Sequence, residues 1–220
     1  EIPIVNRFID HLYINKGYTL EDLENTDPKL IKEMRDYYFN QIESYKKNKN
    51  KKITIDKMPL NLVHVGEILR FFPNAKFILA LRHPYDCVLS CFMQNFMLNH
   101  AMANFLNLDD TLKLYDLTMS LWKKYTNVFK IDHHLIRYED VVSNFKKTIG
   151  DLLKFLNVKW SDNVIEFYKT AEKRGIINTP SYNQVSQPIY SNSMYRWKNY
   201  EKEFAKSNIS LENWVKEFNY

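Results

Sequence analysis

The run Lys76-Phe77-Ile78-Leu79-Ala80-Leu81-Arg82-His83-Pro84 constrains the fold of this chain more than any other part of it. An apolar stretch of strand length ends at Arg82, Pro84 breaks the extended backbone, and a helix begins that carries Asp86, Cys87 and Ser90. A strand this uniformly apolar is covered on both faces, as in a parallel sheet. Arg82 then stands at the carboxyl end of a strand, and Ser90 lies on the helix that follows. Open α/β sheets bind their ligands in the crevice at that end. A guanidinium offers a rigid fork of donors to a phosphate, and a helix start adds free amides and the positive end of its dipole. The segment reads as an anion site, with phosphate the favoured ligand. The same residues also allow a structural ion pair between Arg82 and Asp86 or another carboxylate.

The rest of the chain supplies a parallel α/β frame. Apolar spacing predicts a helix from Pro3 to Tyr13 and another from Pro28 to about Tyr45, the latter capped by Asp27. Residues 52–56 alternate and are β-branched, which predicts a short strand. A helix over Leu60–Phe72 follows, then the strand at 76–81 and a helix from Tyr85 to about Leu98. Residues 97–108 have no clear period. Asp109 or Asp110 is expected to cap a helix to about Lys130, and 134–138 is expected as a third strand. Two helices near 144–156 and 161–173 come next, then an aperiodic, proline-punctuated tail over 175–195. Strand, helix, strand, helix, strand predicts a parallel sheet with crossover helices. Three strands make a thin sheet with open edges, so a first strand is expected to be absent from this sequence, which does not begin with Met.

Bulk properties narrow the classes. At 220 residues, 45% hydrophobic, the chain suits one domain with a real core. No apolar stretch approaches a membrane span. The net charge of +5 favours an anionic ligand, but 26 acidic residues dilute it too far to point to nucleic acid. The two cysteines, Cys87 and Cys91, sit one helical turn apart with poor geometry for a disulfide. They read as small buried thiols of a reducing, cytoplasmic compartment.

Two further clusters carry chemistry. Lys57 follows the first expected strand, as Arg82 follows the second and Tyr138 ends the third, so all three belong to the carboxyl side of one sheet. A lysine there can neutralise charge on a leaving oxygen. In the tail, Ser181, Asn183 and Gln184 precede Arg196-Trp197-Lys198, a pattern suited either to a surface loop or to a clamp over a ligand.

Together these segments resemble the sulfotransferases that use 3′-phosphoadenosine 5′-phosphosulfate, in the branch of the tyrosylprotein enzymes and the bacterial enzymes that carry tetratricopeptide repeats. The resemblance spans roughly residues 53–200 in four ordered motifs and implies a P-loop-kinase-like parallel sheet with flanking helices. It assigns Arg82 and Ser90 to the donor's 3′-phosphate, Tyr138 of Arg137-Tyr138-Glu139-Asp140 to the nucleotide, and Lys57 of Asp56-Lys57-Met58-Pro59 to the transition state. Residues 181–190 resemble the loop that folds over the nucleotide, which implies contacts from Ser181, Asn183 and Gln184. Ser181 also assists at the sulfuryl group, and Arg196 contacts phosphate. The family's glycine-rich phosphate loop is not in the sequence. Its general-base glutamate falls nearest to Glu1, and Gln94 stands where the family has a further arginine. The resemblance implies no metal, leaves the acceptor class open, and leaves room for a repeat domain in a parent protein. A nucleotide-binding module without catalysis and a P-loop kinase are the alternatives.

Overall fold

The structure, a computed structural model, describes residues 2–45, 53–169, 189 and 191–220. The described chain divides into two compact units, residues 1–75 with 121–130, and residues 76–120 with 131–220.

The first unit is helical. Helix α1 (Ile4–Asp10) widens into a π turn over His11–Asn15, and α2 (Pro28–Glu43) follows. Asp27 caps α2 as its sequence predicts, its carboxylate accepting the Lys29 amide at 2.7 Å. A 3₁₀ turn over Pro59–His64 leads into α3 (Val65–Phe71). Val5, Phe8, Ile9 and Leu12 meet Leu30, Met34 and Phe71 in one core. Phe8 packs edge-on against Phe71 at 5.1 Å and Tyr38 at 6.1 Å, the arrangement in which a ring edge meets a π face. Gly66 admits the Tyr125 ring, since a Cβ there would lie 3.2 Å from it.

The strand expected over 52–56 does not form at the described residues 53–56, and residues 51 and 52 lie outside those described. Ile53 and Ile55 are exposed, and no strand among the described residues lies alongside to take up their backbone groups. Propensity without a partner does not make a strand. The segment is instead pinned by Asp56, whose carboxylate accepts from the Tyr38 hydroxyl at 3.2 Å and the Asn61 amide at 3.1 Å.

The second unit holds the sheet. Strand β1 (Phe77–Leu81) pairs in parallel with β2 (His133–Arg137), from Phe77 opposite His133 to Leu81 opposite Arg137. Helix α4 (Pro84–Phe92) leaves β1 after two residues, and Pro84 takes the first helical position, where its missing N–H costs nothing. Helix α4 ends earlier than the expected Leu98, and a 3₁₀ turn over Met102–Leu106 packs against it. Helix α5 (Leu108–Val128) follows, its residues from Leu121 counted in the first unit. Its cap is Asn107, whose side-chain oxygen accepts the amides of Asp109 and Asp110, rather than either aspartate.

Beyond β2 lie a short helix that periodicity alone does not predict, α6 (Tyr138–Ser143), and then α7 (Phe145–Phe155). Two short helices, α8 (Glu201–Phe204) and α9 (Glu212–Glu217), complete the described chain. Arg137 ties the end of β2 to both neighbours. Its guanidinium grips Asp140 through two bonds of 2.7 and 2.9 Å and donates to the carbonyls of Phe218 and Asn219. Among the described residues no helix is long and apolar enough to cross a membrane.

Candidate functional site

The β1–α4 junction lies over a pocket of about 180 Å³ lined by Arg82, Asp86, Leu89, Ser90, Met93, Gln94 and Arg196. Arg82, Ser90 and Arg196, marked by sequence for an anion, therefore share one cavity although Arg196 is far along the chain. Arg82 reaches it because β1 ends at Leu81 and the next residue escapes the ladder. Ser90, two turns into α4, is exposed on the same side.

The surroundings of Arg82 separate the two readings of its position. Its Nη2 donates to the carbonyl of Ser193, and its guanidinium carbon lies 5.6 Å from the centre of the Tyr138 ring, within cation–π range. Its Nε is buried with no hydrogen-bond partner among the described residues. Asp86, the nearest candidate for a structural ion pair, is engaged elsewhere. Fully buried, it accepts the Tyr195 amide at 2.5 Å and the Trp197 amide at 2.8 Å. Those two bonds flank Arg196 and hold its residue at the pocket rim. They also hold Tyr195 in the left-handed region at φ 55°, a conformation that costs a non-glycine residue about 1 kcal/mol.

An aromatic stack backs this arrangement. Trp197 lies over His83, with centroids 5.1 Å apart and planes within 15°, and over Tyr85 at 4.9 Å. The Tyr85 hydroxyl accepts the Leu211 amide, and the His83 amide donates to buried Glu139 of α6 at 2.9 Å. Burial pulls the His83 imidazole below its ordinary 6.5, outweighing the opposite pull of Asp86 and Glu139. Burial pushes up the phenols of Tyr115 and Tyr220, and the Glu139 charge adds to it.

Cys87 and Cys91 are free thiols, and both residues are partly accessible rather than buried as their sequence suggests. Cys87 donates to Cys91, which raises the first thiol and, with help from Arg82, lowers the second.

Of the other residues marked by sequence, Tyr138 opens α6 beside Arg82 but does not line the pocket. Lys57 belongs to the first unit, where partial desolvation lowers its ammonium below the ordinary range. Glu1, Ser181, Asn183 and Gln184 lie outside the described residues. Sequence reasoning overlooked Asp86 as an anchor and Met93 as a lining residue. The placing of Asp86 in the first turn of α4, four residues after Arg82, was the available signal.

A model of the family described as "Sulfotransferase family" matches residues 8–162. An uncharacterized protein of Aquifex aeolicus is 31% identical over 180 residues, covering 80% of this chain and 23% of that protein. Protein-tyrosine sulfotransferase 1 of Danio rerio is 27% identical over 153 residues, covering 64% of this chain and 41% of that protein. The chain thus spans well under half the length of the curated relatives it matches. Among solved structures, the sulfotransferase domain from the curacin biosynthetic pathway superposes with a TM-score of 0.61 at 18% identity, covering 90% of this chain and 76% of that one. That likeness gives the α/β fold.

Two outcomes follow from the anchor and the stack. Asp86→Asn keeps the shape but replaces one acceptor by a donor facing an amide. It should lower the unfolding free energy by about 1–3 kcal/mol in urea titration. It should also speed proteolysis after Arg196 and Lys198. A neutral buried His83 contributes stability that is present above 6.5 and lost as pH falls toward its lowered folded value. Thermal melts stepped downward from neutrality should show the midpoint falling just below 6.5, and His83→Phe, which keeps a ring in the stack, should remove that component.

Proposed function

This chain belongs to the sulfotransferase family, and from that premise we propose that it transfers a sulfuryl group from 3′-phosphoadenosine 5′-phosphosulfate to an acceptor hydroxyl. The observation that carries the reading is the pocket shared by Arg82, Ser90 and Arg196, with the Arg82 Nε buried and without a hydrogen-bond partner among the described residues. A buried donor left unmatched costs free energy. A phosphate in this pocket would accept from the Arg82 guanidinium, from the Ser90 hydroxyl and from the second guanidinium. The donor's 3′-phosphate is the group this set suits, and it distinguishes that nucleotide from ADP and ATP.

In the reaction, the acceptor oxygen attacks sulfur in line as a base removes its proton. The bond from sulfur to the bridging oxygen breaks, and adenosine 3′,5′-bisphosphate leaves with the electron pair. Negative charge grows on that bridging oxygen, where Lys57 and Ser181 are proposed to act. An ammonium partly withdrawn from water, as Lys57 is, stabilises such charge better than a fully solvated one. Tyr138, Asn183 and Gln184 are proposed as nucleotide contacts and Glu1 as the base. Cationic side chains supply the charge stabilisation in this scheme, and the protein is proposed to work in the cytoplasm.

The test is calorimetric titration of the full-length protein with adenosine 3′,5′-bisphosphate, with ADP and ATP as controls. Selective binding of the bisphosphate is expected, and Arg82→Ala should weaken it by about tenfold or more. Lys57→Ala should lower turnover by about a hundredfold or more while leaving bisphosphate affinity intact. Equal binding of all three nucleotides would overturn the 3′-phosphate assignment.

A further inference from the structure

The segment that leaves the phosphate pocket is chemically unlike the rest of the chain. From Cys87 to Leu108 there is no Asp, Glu, Lys or Arg, in a protein that is 26% charged. Water nevertheless reaches much of it. Met97 is 92% exposed, Leu106 69%, Leu98 66% and Met93 47%. Exposed apolar side chains clustered in one stretch mark a binding surface more often than isolated ones do.

Three of the polar side chains of the stretch, Asn99, Asn104 and Asn107, bond backbone within it or just beyond it. The Asn99 side-chain oxygen accepts the amides of Ala101 and Met102 at 3.0 and 2.8 Å. The Asn104 amide donates to the carbonyls of His100 and Ala101, and Asn107 caps α5. Phe96 and Phe105 brace the two ends of the loop with ring centres 5.3 Å apart. Thioether and aliphatic side chains therefore face outward beside Asn95 and His100, in a loop whose shape is held by hydrogen bonds that a ligand does not have to supply. The two surfaces adjoin, because Met93 both lines the anion pocket and belongs to the exposed stretch.

We infer that this platform selects the acceptor, and that the acceptor is an uncharged, largely apolar alcohol or phenol. The inference rests on the sulfuryl-transfer reading and adds the substrate class to it. A charged peptide or a carbohydrate would need ionic partners or a dense set of hydrogen-bond donors and acceptors. This stretch carries no Asp, Glu, Lys or Arg and has committed three of its asparagines to nearby backbone. Methionine side chains adapt to apolar ligands of varied outline, so a family of related hydroxyl compounds fits better than one shape.

The experiment uses the full-length protein saturated with adenosine 3′,5′-bisphosphate. Binding of 4-hexylphenol is measured by equilibrium dialysis, and transfer from the labelled sulfuryl donor is measured to 4-hexylphenol, a tyrosyl peptide and an N-acetylglucosamine oligosaccharide. The expected result is that 4-hexylphenol binds and is the preferred acceptor. The double variant Met97→Lys/Leu106→Lys, at exposed positions where substitution disturbs folding little, should weaken its binding and raise its KM by about tenfold. Bisphosphate affinity in that variant should stay within about twofold of the parent. Preferred transfer to the peptide or the oligosaccharide would overturn the inference while upholding sulfuryl transfer. Equal 4-hexylphenol binding by parent and variant would overturn it too. Binding that the variant loses, with no acceptor sulfated, would leave the apolar site standing and sink the transfer reading instead.

Discussion

A buried carboxylate held by main-chain amides organises the second unit. Asp86 is removed from water, and burying an ion is costly unless hydrogen bonds replace its hydration. Two main-chain amides do so, those of Tyr195 and Trp197. A segment more than a hundred residues away is thereby fastened to the first turn of α4. Everything the pocket offers depends on that attachment. Arg196 lies between the two amides, Trp197 is delivered to the His83 and Tyr85 rings, and Ser193 presents its carbonyl to Arg82. Because backbone amides satisfy Asp86, Arg82 is not consumed as a counter-ion and keeps a donor in reserve.

Fixed dipoles and rings then set the electrostatics around that attachment. Glu139 takes the His83 amide, while its charge and burial together keep the neighbouring phenols protonated. Burial keeps His83 neutral near physiological pH, so the aromatic stack behind the pocket carries no titrating charge there. Cys87 and Arg82 pull the Cys91 thiol below its ordinary range against the opposing effect of burial.

Where local and tertiary signals agree, the sequence was legible. Phe77–Leu81, the proline after it and the helix carrying Ser90 are strongly patterned, and Asp27 before Pro28 names its own helix start. Residues 134–138 read correctly to within one position. The stretch around Ile53 and Ile55 did not, because a strand is a property of two chain segments and propensity reports only one. Capping of α5 by Asn107 rather than by the adjacent aspartates turns on a side-chain rotation that no composition rule resolves. The approach of Arg196 to Arg82 was legible only through a resemblance, since nothing in residues 86, 195 and 197 taken singly announces that they meet. Lys57 and the tail from 181 to 184 stand where that resemblance put them, as proposals about chemistry.

Gln94 gives the pocket an unusual charge balance. Two guanidiniums and one carboxylate line the cavity, and the amide at the remaining polar position contributes a dipole and no charge. The net excess is a single positive charge. An anion there would depend on the direction of each charge-assisted hydrogen bond more than on the net charge of the ring. Contacts of that kind are directional and weaken once the geometry of the ligand slips. A leaner ring of cations of this kind favours a brief residence time for a bound anion over maximal grip.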